Sequence, residues 1–146
     1  MNPMHKKKLL SYIHAYESLT EANMDSLLMP MFAENAYFED PFNQVAGKEG
    51  IRKIFQHMFD HAMSPRFVVM SYMLEDQTAF LHWEFCFLDG QNKEHRIIGV
   101  SKVVFDYKGQ VLSHIDYWDT GKYIYQKIPV LKSIIRWVNR FFTPND

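Results

Sequence analysis

The spacing of apolar residues changes once along this chain, at Pro65, and that change limits the folds open to it. Before it, apolar residues recur at helical intervals; after it, they alternate. Four alternating segments follow, at about residues 66–74, 78–88, 95–107 and 110–119. They are separated by Glu75-Asp76-Gln77, by Asp89-Gly90-Gln91-Asn92 and by Lys108-Gly109, all compositions that close hairpins. The second half therefore reads as one long antiparallel meander. Helices first and a sheet afterwards is an α+β layout, with the helices gathered on one face of the sheet.

The first half supplies those helices. Leu9, Tyr12, Ile13, Tyr16 and Thr20 share one helical face, and His14 points well away from it. A second short helix is expected over about residues 25–34, made irregular by Pro30. Residues 36–40 read as a short strand stopped by Pro41. Gly47-Lys48-Glu49-Gly50 then leads into a third helix with the apolar stripe Ile51, Ile54, Phe55, Met58 and Ala62. If the sheet is strongly curved, it wraps these helices and leaves a conical pocket; periodicity alone does not demonstrate that curvature.

At 146 residues the chain matches the usual size of one domain and buries about 70% of its unfolded surface without a disulfide or metal staple. Twelve Phe, eight Tyr and nine Met are more than a small core strictly needs. The surplus lines a cavity, lines a subunit interface, or makes a core of large residues. The formal net charge of −1 gives the molecule no general attraction for nucleic acid. The single cysteine, Cys86, forms no internal disulfide, which suits a reducing cytoplasm. Only Leu9 and Leu10 follow the Lys6-Lys7-Lys8 run, so no signal-type apolar stretch is read there. No window approaches the roughly 18 apolar residues of a membrane span. No phosphate-cradling glycine loop or dinucleotide fingerprint occurs, and no cofactor is expected. His57 and His61 have the i, i+4 spacing of a metal pair, but no Glu-containing zinc motif surrounds them. They read as a solvated helix edge, and no metal is expected.

Strand alternation sorts the polar residues by face. Ala36, Phe38 and Asp40 share one side of their strand. On the last strand His114, Asp116 and Trp118 oppose Ser113, Ile115 and Tyr117. Trp83, Phe85 and Phe87 face inward, leaving Glu84 and Cys86 on the other side, with Glu84 in water. Cys86 has no base beside it on that reading and is no nucleophile.

The segment from Tyr16 to Pro41, with Phe32-Ala33-Glu34-Asn35-Ala36 and Glu39-Asp40-Pro41, resembles the first part of a ketosteroid isomerase. From about residue 9 to 119 the chain is similar to the SnoaL-like branch of the nuclear transport factor 2-like superfamily; Gly109-Gln110-Val111 and Asp116-Tyr117-Trp118-Asp119 fit that branch. The resemblance implies a cone, a curved antiparallel sheet wrapped around helices, often dimeric through the sheet. It places Asp40 where those isomerases keep a general-base Asp, and Tyr16 where they keep an oxyanion-holding Tyr. Trp118 falls at an aromatic pocket wall. Their third catalytic position, a protonated Asp, falls near Ser101, whose hydroxyl donates one hydrogen bond but is a weaker acid. In related limonene epoxide hydrolases and polyketide cyclases an acidic residue on the last strand is the acid or base, which points to Asp116. The hydrolase type also needs an Arg–Asp pair on the preceding strand, and Val100-Ser101-Lys102-Val103 supplies none.

Other readings stand beside these. An Asp before Pro often ends a strand or forms a turn, Tyr16 also suits a core tyrosine with a satisfied hydroxyl, and Asp116 also suits a pairing with His114. The function implied is binding of a small apolar or amphipathic molecule, with isomerase or cyclase chemistry by proton transfer beside a carbonyl. The alternative is a non-catalytic ligand-binding or dimeric interaction module. The expected catalytic set is Asp40, Tyr16 and Asp116; the ligand-binding set is Ser101, His114, Trp118, Trp83, Phe85 and Phe38.

Residues 1–122 carry this domain, and 123–146 read as an amphipathic extension. There Leu131, Ile134, Ile135, Val138, Phe141 and Phe142 fall on one helical face, opposite Lys132, Arg136 and Arg140. Such a helix docks on its own domain, on a partner subunit, or on an anionic membrane surface through residues 130–142 with Trp137 at the headgroup level.

Overall fold

The computed structural model describes residues 3–124 and, beyond them, 133, 134, 136–138, 140 and 144. The expected C-terminal helix and its membrane contact therefore lie, for the most part, outside the described residues. Among the described residues no helix is long and apolar enough to cross a membrane.

Helix α1 spans Pro3–Glu17 and buries Leu9, Tyr12, Ile13 and Tyr16 against the sheet. The helix stops before Thr20, which is exposed and instead exchanges hydrogen bonds with Asn23 (Thr20 N to Asn23 Oδ1 2.8 Å, Asn23 N to Thr20 Oγ1 3.1 Å). The second helix expected from the sequence is shorter and irregular, a π-helical turn at Met24–Leu28 followed by a 3-10 turn at Met29–Met31. Pro30 has no N–H for an α-helical ladder, so the chain leaves the helix at once and enters strand β1, Phe32–Glu39. A short edge strand absent from the sequence reading, β2 at Gln44–Ala46, folds back on β1. Helix α2, Lys48–His61, buries Ile51 and Phe55 and half-buries Ile54 and Met58, four of the five residues of the expected stripe; Ala62, the fifth, lies just past the helix in extended backbone.

Strands β3 (Met63–Glu75), β4 (Thr78–Leu88), β5 (Glu94–Phe105) and β6 (Val111–Trp118) form the antiparallel meander, and a short helix α3 (Thr120–Tyr123) follows. The six-stranded order is β2-β1-β6-β5-β4-β3. β1 joins β6 in parallel, so the sheet is mixed. A parallel neighbour needs a long crossover, and α2 with the first three meander strands supplies it. This pairing sets Phe38 beside His114 and Glu39 beside Ile115, which brings the end of β1 to the middle of β6.

The β5–β6 turn is built for its shape. Gly109 has a φ of +86° that other residues rarely adopt, and Asp106 Oδ1 accepts from the backbone N–H of Lys108 and Gln110, both at 2.9 Å. Buried His5 donates from Nε2 to the Asp106 carbonyl at 3.1 Å and ties α1 to this end of the sheet.

Candidate functional site

Cross-strand register aligns the inward residues in rows. Leu81, Ser101 and Asp116 form one; Val69, Trp83, Gly99 and Trp118 form the next; Phe67, Phe85 and Ile97 form a third. Gly99 matters for its missing side chain. A Cβ there lies 2.6 Å from two atoms of the Trp83 ring and 2.8 Å from the Tyr117 carbonyl, so only glycine lets the indole lie across β5. That placement lets Trp83 Nε1 donate to Ser101 Oγ at 2.7 Å.

Between these rows and the helices lies a cavity of about 230 Å³. Tyr16, Asp40, Ser101, His114 and Asp116 are among its polar residues, with Asn43 and His57, and Phe38, Trp83, Phe85 and Trp118 are among its walls. All nine positions singled out from the sequence thus border one space, whatever each does there.

Of these polar groups, Tyr16, Ser101, His114 and Asp116 belong to one hydrogen-bonded chain, and Asp40 does not. Ser101 Oγ donates to Asp116 Oδ1 in a short hydrogen bond. His114 Nε2 lies 2.7 Å from the same oxygen, and the His114 ring is 3% exposed. With Asp116 a carboxylate, Nε2 carries the proton and donates; Nδ1 then accepts from the Tyr12 hydroxyl at 2.8 Å. Tyr12 in turn accepts from Tyr16 at 3.1 Å. Both hydrogen bonds to Asp116 end on Oδ1, which leaves Oδ2 without a hydrogen bond among the described residues. Burial drives the Tyr12 phenol well above the usual range, with the neighbouring Tyr16 adding to it. Burial does the same to Tyr16, aided by the charge of Asp116. Both hydroxyls stay protonated and act as donors.

Tyr12 is the member of this chain the sequence reading did not single out for chemistry. Its signal was present in the shared helical face of Tyr12 and Tyr16, four residues apart, but its partner His114 lies 102 positions away.

Asp40 sits where β1 ends, at the cavity's edge, half-buried. Its Oδ1 accepts from the backbone N–H of Phe42 and Asn43, each at 2.8 Å, and Asn43 Nδ2 donates to both oxygens at 3.1 and 3.0 Å. This carboxylate organises the turn that sends the chain into β2. His57 borders the cavity from α2, and its ring lies 4.0 Å from that of His61, whose Nδ1 is bonded to the His57 carbonyl at 2.9 Å. On the outer face Glu84 is beside Cys86, and the thiol donates to it at 3.0 Å. Glu84 is also paired with Arg96 at 2.8 Å rather than standing free in water. Burial first, then that carboxylate, push the thiol up from its usual range, away from thiolate chemistry.

A curved six-stranded mixed sheet packed on helices, with an aromatic, acid-bearing cavity between them, defines an α+β class of fold. The chain belongs to the SnoaL-like domain family, whose model matches residues 12–114. No curated protein matches it. Among solved structures it is similar to a nuclear transport factor 2-like protein of unknown function from Burkholderia pseudomallei, at 11% identity and a TM-score of 0.71, covering 84% of this chain and 95% of that one. A protein with a ketosteroid isomerase-like fold from Catenulispora acidiphila, in complex with trimethylamine, matches at 12% identity and a TM-score of 0.70, over 86% of this chain and 93% of that one. A protein provisionally named a SnoaL-like polyketide cyclase, from Shewanella denitrificans, matches at 16% identity and a TM-score of 0.68, over 82% and 93%. At these identities the likeness is one of fold.

Proposed function

We propose that this protein takes a small, mainly apolar carbonyl compound into the cavity and moves a proton at the carbon beside the carbonyl. Asp116 is the base in this reading. The observation that carries it is the uneven use of the Asp116 carboxylate: Oδ1 is held by Ser101 and His114, and Oδ2 is left over at an aromatic-walled space. A carboxylate held in place through one oxygen presents the other in a fixed position to accept a proton. In the step, the C–H proton passes to Oδ2 and its electron pair moves through the carbonyl carbon to oxygen. Tyr16, kept neutral by burial, turns its hydroxyl from Tyr12 to that oxygen. Return of the proton to another carbon gives isomerisation; attack of the enolate on a second carbonyl gives cyclisation. Cavity size limits the ligand. A void of about 150 Å³ takes benzene, so 230 Å³ suits a one-ring body better than a four-ring one.

Asp40, expected from the family resemblance to be the base, has its oxygens engaged by its own turn, which supports giving it another task. The discriminating experiment follows deuterium incorporation next to the carbonyl of a cyclic enone in heavy water. Asp116→Asn is expected to abolish exchange, and Tyr16→Phe to slow it about a hundredfold. Loss of exchange in Asp40→Asn but not in Asp116→Asn moves the base to Asp40. An unmodified protein that binds the enone without exchange is a binding module.

We also propose that two copies pair through the outer face of the sheet. Met73, Phe80, Val68, Val100 and Tyr117 are exposed there, on three adjoining strands and on β6 beside them, an apolar concentration typical of an interface.

A further inference from the structure

We infer that the ligand carries a positive charge, a protonated or quaternary amine held at the cavity mouth between Asp40 and Trp118 while the apolar body lies inside. This rests on the reading of the cavity as the ligand site and names the class of molecule it takes.

The mouth is defined by shared residues. Asp40, Asp116 and Trp118 border both the cavity and the shallow groove outside it, which Glu39 and Tyr117 extend. An entering molecule passes these side chains. Asp40 and Asp116 border both spaces and Glu39 borders the groove alone, and no Lys or Arg borders either space among the described residues. Asp40 and Glu39 take part in no ion pair among the described residues, and Asp116 is met by the Nε2–H of the His114 imidazole, whose Nδ1 accepts from Tyr12. The N–H donors around Asp40 fix its orientation, but neutral donors leave its charge uncancelled. A low-dielectric wall beside it strengthens its pull on a cation.

The second half of the recognition is aromatic. Trp118 packs edge-on against Phe42, ring centres 5.7 Å apart at 65°, and Phe42 keeps 54% of its surface exposed at the same rim. Nothing in the core explains an exposed phenylalanine held beside an indole and a carboxylate. Faces of such rings attract ammonium groups, Trp most strongly. Further in, Tyr16, Phe38, Phe85 and Trp83 accept an apolar body. The two aspartates then divide the work: Asp40 holds the charge, and Asp116, bonded to Ser101 and His114, remains available for the proton. An anionic ligand is repelled at the entrance, and a neutral one gains nothing from Asp40.

Titration calorimetry with three probes of nearly equal shape tests this: phenethylammonium, 2-phenylethanol and phenylacetate. The ammonium is expected to bind about tenfold or more tightly than the alcohol, with phenylacetate weakest. That preference is expected to shrink as salt is added. Asp40→Asn, whose amide still suits the turn, should bring the ammonium to within about threefold of the alcohol and leave the alcohol unchanged. Trp118→Leu should weaken the ammonium more than the alcohol. Equal binding of ammonium and alcohol, or a preference indifferent to both salt and Asp40, overturns the charged-ligand proposal while the pocket reading stands. Failure of all three probes to bind overturns the pocket reading and this proposal together.

Discussion

The Tyr12 hydroxyl lies 2.8 Å from Nδ1 of His114, a contact between the first helix and the last strand that closes the buried polar chain. Replacing Tyr12 by Phe leaves Nδ1 buried without its donor and Tyr16 without its acceptor. An unsatisfied buried group costs about 1–3 kcal/mol, so Tyr12→Phe should lower the unfolding free energy by about that amount in urea melts. Tyr16→Phe should cost less, because Tyr16 ends the chain and leaves only the second lone pair of Tyr12 idle. Equal and negligible losses in both variants would show that the chain contributes nothing to stability.

Alkaline pH tests the same phenols from another side. Burial raises both Tyr12 and Tyr16 well above the usual phenol range in the folded protein. In the unfolded chain they titrate near 10. Above that pH the unfolded state has lost protons that the folded state keeps, so stability is full below about 10 and falls as pH rises further. The melting temperature should therefore drop steeply above about pH 10. Tyrosinate absorbance from these two residues should appear together with unfolding. A double Tyr12→Phe, Tyr16→Phe variant should show a shallower alkaline decline, and a decline as steep as that of the unmodified protein would contradict the assignment.

The strand half of this fold was legible because alternation and burial coincide. On β4, Ala79, Leu81 and Trp83 are buried while Phe80 and His82 face out, and the limits Thr78 and Leu88 match the sequence reading. The second helix was less legible because its ending depends on Pro30 and on the pull of Phe32 into the sheet, where Phe32 is fully buried. Edge strand β2 is three residues long, too short for a period to register. The meeting of β1 with β6 could not be read locally, since parallel pairing joins segments separated by the whole meander. Faces of single strands named Asp40 and Asp116, and local sequence already offered a turn for the first and His114 for the second; only the register between strands adds Ser101 to Asp116.

Gly99 offers a test of how the pocket is shaped. An added methyl at this position meets the Trp83 ring at 2.6 Å and the Tyr117 carbonyl at 2.8 Å. Backbone cannot yield easily, so Gly99→Ala should push the indole into the cavity and break its bond to Ser101. Overpacking of this kind costs about 1–3 kcal/mol. The variant should melt earlier and bind 2-phenylethanol more weakly, with Trp fluorescence altered. A variant that binds the alcohol unchanged would show that Trp83 does not set the cavity wall.

Pairing through the sheet predicts a change of mass on charging its outer face. Met73 is 76% exposed and lies directly across from Phe80, which continues along the row to Lys102 and Ile115. Tyr117, two residues further along β6, is also exposed. A stable dimer buries about 800 Å² on each partner, centred on apolar residues free of like charge. Placing a carboxylate at the centre of a two-fold contact sets it near its own copy, where it is desolvated and repelled. Phe80→Glu and Met73→Glu should therefore convert a dimer to a monomer in light scattering at micromolar concentration. The fold of each monomer should survive, because both side chains point away from the core. Tyr107→Glu, on the exposed β5–β6 turn, serves as the control and should leave the mass unchanged. A dimer that persists in both sheet variants, or a protein monomeric from the outset, would remove the sheet face as the interface.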